Sequence, residues 1–367
     1  MSELSEAHAR LLEALREGRR PALARTISVV EDGRPGFEAI LDTLHSRLGG
    51  AHRIGITGPP GAGKSTLTAA LIRRYREDDE RVGVVAVDPT SPFTGGALLG
   101  DRIRMSEVAT DPGVFVRSMA TRGSLGGLAL TTREVVDVMD AFGFDRILIE
   151  TVGVGQSELA IAAAADSTAV VLVPESGDSV QAMKAGLMEI SDLFVVNKAD
   201  RPGAERLARE IELMLHMKRG ETMRNVPAHH GVDHGRARER VRRDGRDGEA
   251  AVGTDGRGAG AEGAGEVESA WEIPVLRATA VTGEGVDELA ATLERHRAWL
   301  RASGELTRRR RVRYADRVRE AVGRSLAKLA WEEGGGEALL EEALPSLESG
   351  ETTPYEVAAR IVRRVAG

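Results

Sequence analysis

The sequence predicts a doubly wound α/β fold with a mostly parallel sheet, a helical cap ahead of it and a helical extension behind it. Three observations carry that reading. Seven short runs of Val, Ile and Leu recur between residues 53 and 278. Helical stretches with polar faces lie between them, and 41% hydrophobic residues in a chain of 367 supply a full core. Unbroken apolar runs are what strands need when helices cover both faces of a parallel sheet.

Residues 3–48 place Leu11, Leu12 and Leu15, then Ile40, Leu41, Leu44 and Leu48, at three-and-four spacing, so 1–48 reads as an N-terminal helical region. Strands are expected at 53–57, 82–87, 113–117, 145–149, 168–173, 192–197 and 273–278, inside one domain spanning 49–300. Residues 216–270 interrupt it with Gly, Arg and scattered charge. They hold too little apolar surface to offset ordering entropy and read as a flexible insertion. Its His216, His229, His230 and His234 lack the Cys or carboxylate company of a defined metal site. A helix follows over 285–300. Val312, Ala315, Val318, Val322, Leu326 and Leu329 then keep helix spacing, and two helical stretches, 336–348 and 354–366, flank the turn at Gly350 and Pro354. This extension, 301–367, lies outside the sheet and is expected to serve dimerisation.

Composition excludes several functions. With no Cys there are no disulfides, Cys-ligated zinc sites, iron–sulfur clusters or thiol nucleophiles, and a cytoplasmic location is expected. A net charge of -7 speaks against nucleic acid as a partner. The opening MSELSEAHARLLEALREG is acidic with no unbroken apolar run, so neither a signal peptide nor a membrane partner is expected. Lys stands only at 64, 184, 198, 218 and 328, and the other 45 of 50 basic residues are Arg. Each Lys is therefore a place where a compact ammonium is worth looking for.

The run GITGPPGAGKST follows the first strand and opens a helix. Gly58, Gly63, Lys64 and Ser65 match G-x-x-x-x-G-K-[ST], the P-loop of NTPases, with Gly61, Ala62 and Thr66 completing the loop. Backbone N–H groups converge on phosphate there. The helix N-terminus adds positive potential, Lys64 reaches the β and γ phosphates, and Ser65 ligates Mg²⁺. FVVNKAD at 194–200 ends an apolar strand with Asn-Lys-x-Asp. The Asp200 carboxylate can accept two hydrogen bonds from guanine N1 and N2, a donor pair adenine lacks. Lys198 would lie along the base and Asn197 would brace the loop. Thr279, Ala280 and Val281, after the last strand, are expected to set a backbone N–H against the guanine carbonyl. GTP and GDP, with Mg²⁺, are thus the expected ligands.

ILIETVGVGQSE puts Glu150 at the end of a buried strand, where ligands of α/β sheets gather, to position Mg²⁺ or its waters. Asp88 ends another strand. Asp101 follows a Gly-rich loop, either in the magnesium shell or as a helix N-cap. Gln156 is a candidate for positioning water. Lys64, Asp88, Asp101 and Glu150 form the expected catalytic set, sufficient for slow hydrolysis. No arginine finger is identifiable, although Arg102, Arg104, Arg117 and Arg122 are read as loop residues.

Taken together, GPPGAGKSTL, VAVDPTSPFTGGALLGDRIRM, FVRSMATRGSLGGLA, FDRILIETVGVGQSE and VLVPESGDSVQAMKAGLMEISDLFVVNKAD resemble the MeaB/ArgK family of G3E-type P-loop GTPases, accessory proteins of methylmalonyl-CoA mutase. The resemblance is dense over 35–215 and looser over 271–310. It implies a homodimeric GTPase chaperone that docks on a cobalamin-dependent acyl-CoA mutase, gates adenosylcobalamin loading and protects or reactivates the mutase. It also implies that Lys64, Ser65, Asp88, Asp101 and Glu150 serve nucleotide and magnesium, that Asn197, Lys198 and Asp200 read guanine, and that PESGDSVQAMK is a switch loop with Asp178 and Lys184 as its key residues. The insertion and the tail after 311 depart from the family pattern. Two other functions compete: a metallochaperone-type GTPase, which the lack of Cys opposes, and a small-substrate kinase, for which no acceptor pocket is recognisable.

Overall fold

A computed structural model describes residues 4–88, 106–120, 125–151, 161, 163–174, 186–218 and 270–366. Its strands are β1 (His52–Thr57), β2 (Val82–Asp88), β3 (Val114–Ala120), β4 (Arg146–Thr151), β5 (Ser167–Leu172), β6 (Leu193–Asn197) and β7 (Val275–Ala278). Each falls on an expected run, with ends moved by no more than three residues. They form one sheet in the order β3-β2-β4-β1-β5-β6-β7. Every pairing is parallel. The chain reaches β4 on one side of β1 and resumes with β5 on the other, so β1 delivers its loop at the centre of the strands' C-terminal edge.

Both faces are covered, which explains the continuous apolar runs. On one face α1 (Glu6–Arg16), α2 (Arg20–Glu31), α3 (Phe37–Leu44) and α5 (Leu125–Phe142) pack Leu12, Leu23, Ile27, Ile40 and Val135 over Val85, Ile147 and Ile149. On the other, α4 (Lys64–Glu77) and α7 (Val286–Ala302) pack Leu67, Leu71, Leu289 and Leu293 over Ile54, Ile56, Val84 and Leu148. The alternation of Ile147, Leu148 and Ile149 between the two clusters is the two-residue period of a strand. A third cluster sets Leu207 and Ile211 of α6 (Ala204–Lys218) against Val170 and Phe194.

The N-terminal cap is tied to the sheet's β3 edge. Arg20 donates to the carbonyls of Asp111 (3.3 Å), Pro112 (2.9 Å) and Val114. Arg117 corrects the sequence reading: it is not on a loop but within β3, and its Nε donates to Glu31 of α2 at 2.8 Å. An engaged, strand-bound guanidinium is unsuited to serve as a mobile finger. His216 and Lys218 belong to the last turn of α6, so the helix runs further than the insertion boundary at 216 allowed. Lys218 Nζ donates to the Met188 carbonyl (2.8 Å) and Trp271 Nε1 to the Asp192 carbonyl (2.7 Å). The chain on either side of the insertion is thus held at the start of β6, the opposite end of that strand from Asn197.

After α7, α8 (Glu305–Lys328) is a 24-residue helix with no buried residue. Its arginines turn to carboxylates of the core, whereas Val312, Val318, Val322 and Leu326 are each at least half exposed. α9 (Gly336–Glu348) and α10 (Pro354–Ala366) close a small cluster of Leu339, Ala343, Val357 and Ile361. No helix among the described residues is long and apolar enough to cross a membrane.

Candidate functional site

The loop between β1 and α4 is shaped by glycines where no other residue fits. Gly58 has φ +139°, and a Cβ there would lie 2.0 Å from the Val171 carbonyl oxygen. Gly63 caps α4 at φ +83°, where a Cβ would meet Asn197 Nδ2 at 2.4 Å. No side chain caps the helix, so its first N–H groups face the loop and present donors and a positive dipole end to an anion. Lys64 curls back over the loop, donating to the carbonyls of Gly58 (2.8 Å) and Pro59 (3.0 Å). Gly61 and Ala62 complete the turn, with Ala62 fully buried, and Thr66 lies in the first turn of α4.

Ser65 and Glu150 meet although 85 residues separate them: the Ser65 hydroxyl donates to Glu150 Oε1 at 2.6 Å, and both residues are buried. The register explains it, since Glu150 on β4 pairs with Ile56, two residues before Gly58. A hydroxyl and a carboxylate offer only hard oxygen donors, the set that suits Mg²⁺. Behind them the Thr57 and Thr151 hydroxyls are 3.1 Å apart, at the ends of β1 and β4. Nothing in the sequence pattern marked that pair. Asp88 ends β2, two residues past the pairing of Ala86 with Glu150, and its side chain lies outside the described residues. Asp101, Gln156, Asp178 and Lys184, with Arg102, Arg104, Arg122 and the insertion's His229, His230 and His234, also lie outside them.

Asn197 joins the loop to its neighbours. Its Nδ2 donates to the Ala62 carbonyl (2.8 Å), and its Oδ1 accepts from the Ala280 N–H (3.1 Å). One buried amide therefore locks three segments into a single frame. Lys198 next to it sits at φ +55°, a left-handed conformation uncommon for a side-chain-bearing residue and often found at functional turns. The Ala199 N–H holds that turn to the Ala278 carbonyl at 3.0 Å. Beyond β7, Thr279 and Glu284 bridge, which closes a tight loop with Thr279 and Ala280 buried and Val281 85% exposed. Asp200 is exposed and lines a crevice of about 520 Å³ with Ala199, Thr279 and Glu284.

A parallel sheet whose central strand opens through a glycine loop into a bare helix N-terminus, with an Asn-Lys-x-Asp turn bonded to that loop, defines a P-loop guanine-nucleotide hydrolase. Within that class the chain belongs to the MeaB family, described as methylmalonyl Co-A mutase-associated GTPase MeaB, which matches residues 23–334. It is a GTPase. A protein of Pyrococcus horikoshii named as a GTPase is 40% identical over 97% of this chain and 98% of its own. The mouse methylmalonic aciduria type A homolog, mitochondrial, is 31% identical over 83% of this chain and 66% of its own. Among solved structures, a LAO/AO transport system kinase superposes with a TM-score of 0.62 at 23% identity, covering 100% of both chains, a likeness of fold.

Proposed function

We propose that this GTPase is a chaperone of a cobalamin-dependent acyl-CoA mutase, methylmalonyl-CoA mutase or a close relative, and that its turnover gates adenosylcobalamin loading and protects or reactivates the mutase. The observation that carries the nucleotide part is the Asn197 amide, which binds the phosphate loop and the base-side loop at once. Family membership and the printed names of its relatives support the mutase part. In this reading Lys64 leaves its loop carbonyls for the β and γ phosphates. Ser65 and Glu150, with Asp88 and Asp101, hold Mg²⁺, which supplies charge neutralisation on the phosphates when bound. Lys198 lies along the base, Asp200 accepts from guanine N1 and N2, and Thr279, Ala280 and Val281 face its carbonyl. Asp178 and Lys184 couple the mutase to hydrolysis. GTP turnover with and without purified methylmalonyl-CoA mutase tests the proposal. Expected is complex formation with a changed rate; neither with any acyl-CoA mutase overturns it.

The exposed stripe Val312, Val318, Val322 and Leu326 on α8 supports a homodimer, because an apolar helix face of this length calls for a partner. Sedimentation of the chain should show a dimer, and Val318→Glu with Leu326→Glu a monomer. A monomeric unaltered chain at micromolar concentration removes the proposal.

A further inference from the structure

At the sheet edge opposite the phosphate loop, α8 crosses the core over a small cavity of about 30 Å³ whose walls include Arg53, Arg133, Asp137, Arg310, Arg313 and Arg317. Their partners can be enumerated. Arg53 pairs with Asp137 (2.8 Å) and Asp140 (2.7 Å), Arg133 with Glu320 (3.0 Å), Arg310 with Asp166 (3.1 Å), Arg313 also with Asp166, and Arg317 with Asp137. Glu134 close by is taken by Arg324 at 2.9 Å. Among the described residues five guanidinium groups thus share four carboxylates, one positive charge more than the carboxylates balance.

Two of those guanidinium groups also have a donor to spare. The Nε–H groups of Arg53 and Arg133 are buried and have no hydrogen-bond partner among the described residues. A buried donor left unmade is costly and is rarely tolerated without an occupant. The volume admits one or two water-sized particles, which also fits one chloride-sized ion and excludes a phosphate ester. Water could satisfy the donors but leaves the charge excess in place. An anion meets both needs.

We propose that this cavity binds a single small monoanion of the halide class, accepting from Arg53 Nε and Arg133 Nε and fastening α8 to β1 and α5. The site is remote from the phosphate loop and independent of what the GTPase serves. The test uses the full chain without nucleotide. Crystals grown in sodium bromide should show an anomalous peak within hydrogen-bond distance of both Nε atoms; a cavity with no anomalous signal, holding water alone, overturns the proposal. Thermal unfolding in sodium chloride, sodium bromide and sodium gluconate at equal ionic strength should give a saturable rise of about 2 °C in the two halides only. Arg133→Met should abolish that halide dependence, whatever it does to the midpoint itself. Equal midpoints in all three salts overturn the proposal, and should Arg133→Met fail to fold, the bromide map of the unaltered chain decides.

Discussion

At the C-terminal edge of the sheet the described contacts are single hydrogen bonds, most of them to neutral groups: Lys64 on loop carbonyls, Asn197 between Ala62 and Ala280, Thr57 against Thr151, and the Ser65 hydroxyl on Glu150. At the N-terminal edge of the same strands the partners are ions and histidines. Arg146 on β4 is bidentate to Glu80 (2.7 Å each), reaches Glu294 at 2.6 Å and lies over the Tyr75 ring at 5.0 Å. The Ser167 hydroxyl sits between His52 Nε2 (2.7 Å) and His296 Nδ1 (2.8 Å). Asp192 accepts from Arg309 and from the Thr168 N–H, and Asp166 from Arg310 and Arg313. One edge keeps its cation and helix N-terminus on weak local partners that a ligand can displace. The other spends its charges on one another to join β1, β4, β5, β6, α7 and α8. With the nucleotide bound as proposed, binding and stability reside at opposite ends of the same strands and should be separable by mutation.

The sharpest break of that contrast is a matched pair. Asp166→Ala leaves Arg310 and Arg313 facing a gap, and urea unfolding should show a loss of roughly 3–5 kcal/mol while the folded fraction keeps its GTP turnover per molecule. Lys64→Ala should do the reverse, cutting turnover on the order of 10²–10³-fold with no comparable loss of stability. Turnover lost in the first, or stability in the second, would show that the two edges are not independent. A smaller effect sharpens the binding edge. Asp200→Asn, exposed and therefore harmless to the core, should lower discrimination of GTP against xanthosine triphosphate by roughly 10–100-fold. Competition binding with GTP, ATP and XTP measures it, and unchanged ratios remove Asp200 from the base site.

The ionic edge also predicts a pH dependence. Burial pushes His296 down to about 4, with Asp192 only partly opposing, and burial likewise lowers His52. A histidine depressed in the folded state stays neutral while its unfolded counterpart takes up a proton below about 6.5, so stability falls as pH drops from about 6.5 towards about 4. For His296 alone the loss is about 2–3 kcal/mol across that window. Asp166 adds to it at still lower pH: although burial raises its carboxyl, Arg313 and Arg310 outweigh that and hold it below the usual carboxylate range. Urea midpoints at pH 7.5, 6 and 5 check the slope, and His296→Gln should flatten it.

Much of the fold was legible because its signals are local. All seven strands stood out as apolar runs bounded by turns, and the glycine loop announced its conformation. Positions whose role depends on a distant partner were harder. Arg117 closes the expected strand 113–117 and groups with the loop arginines because nothing nearby in sequence points to Glu31, 86 residues away; β3 runs on to Ala120 and keeps it well inside the strand. Thr57 and Thr151 carried no signal at all, since two threonines at strand ends are unremarkable until the register sets them opposite each other.

By itself the sequence determined the parallel α/β class, the position and glycine conformation of the phosphate loop, and the place of the Asn-Lys-x-Asp turn, since each rests on a short-range pattern of side-chain size, period or backbone freedom. Only the tertiary structure decided that Asn197 would clasp Ala62 from 135 residues away, and that α8 would face the core with its arginines and solvent with its valines. In a chain with 45 arginines a single Arg says little about its partner; the sheet register and the helix docking choose which carboxylate it meets.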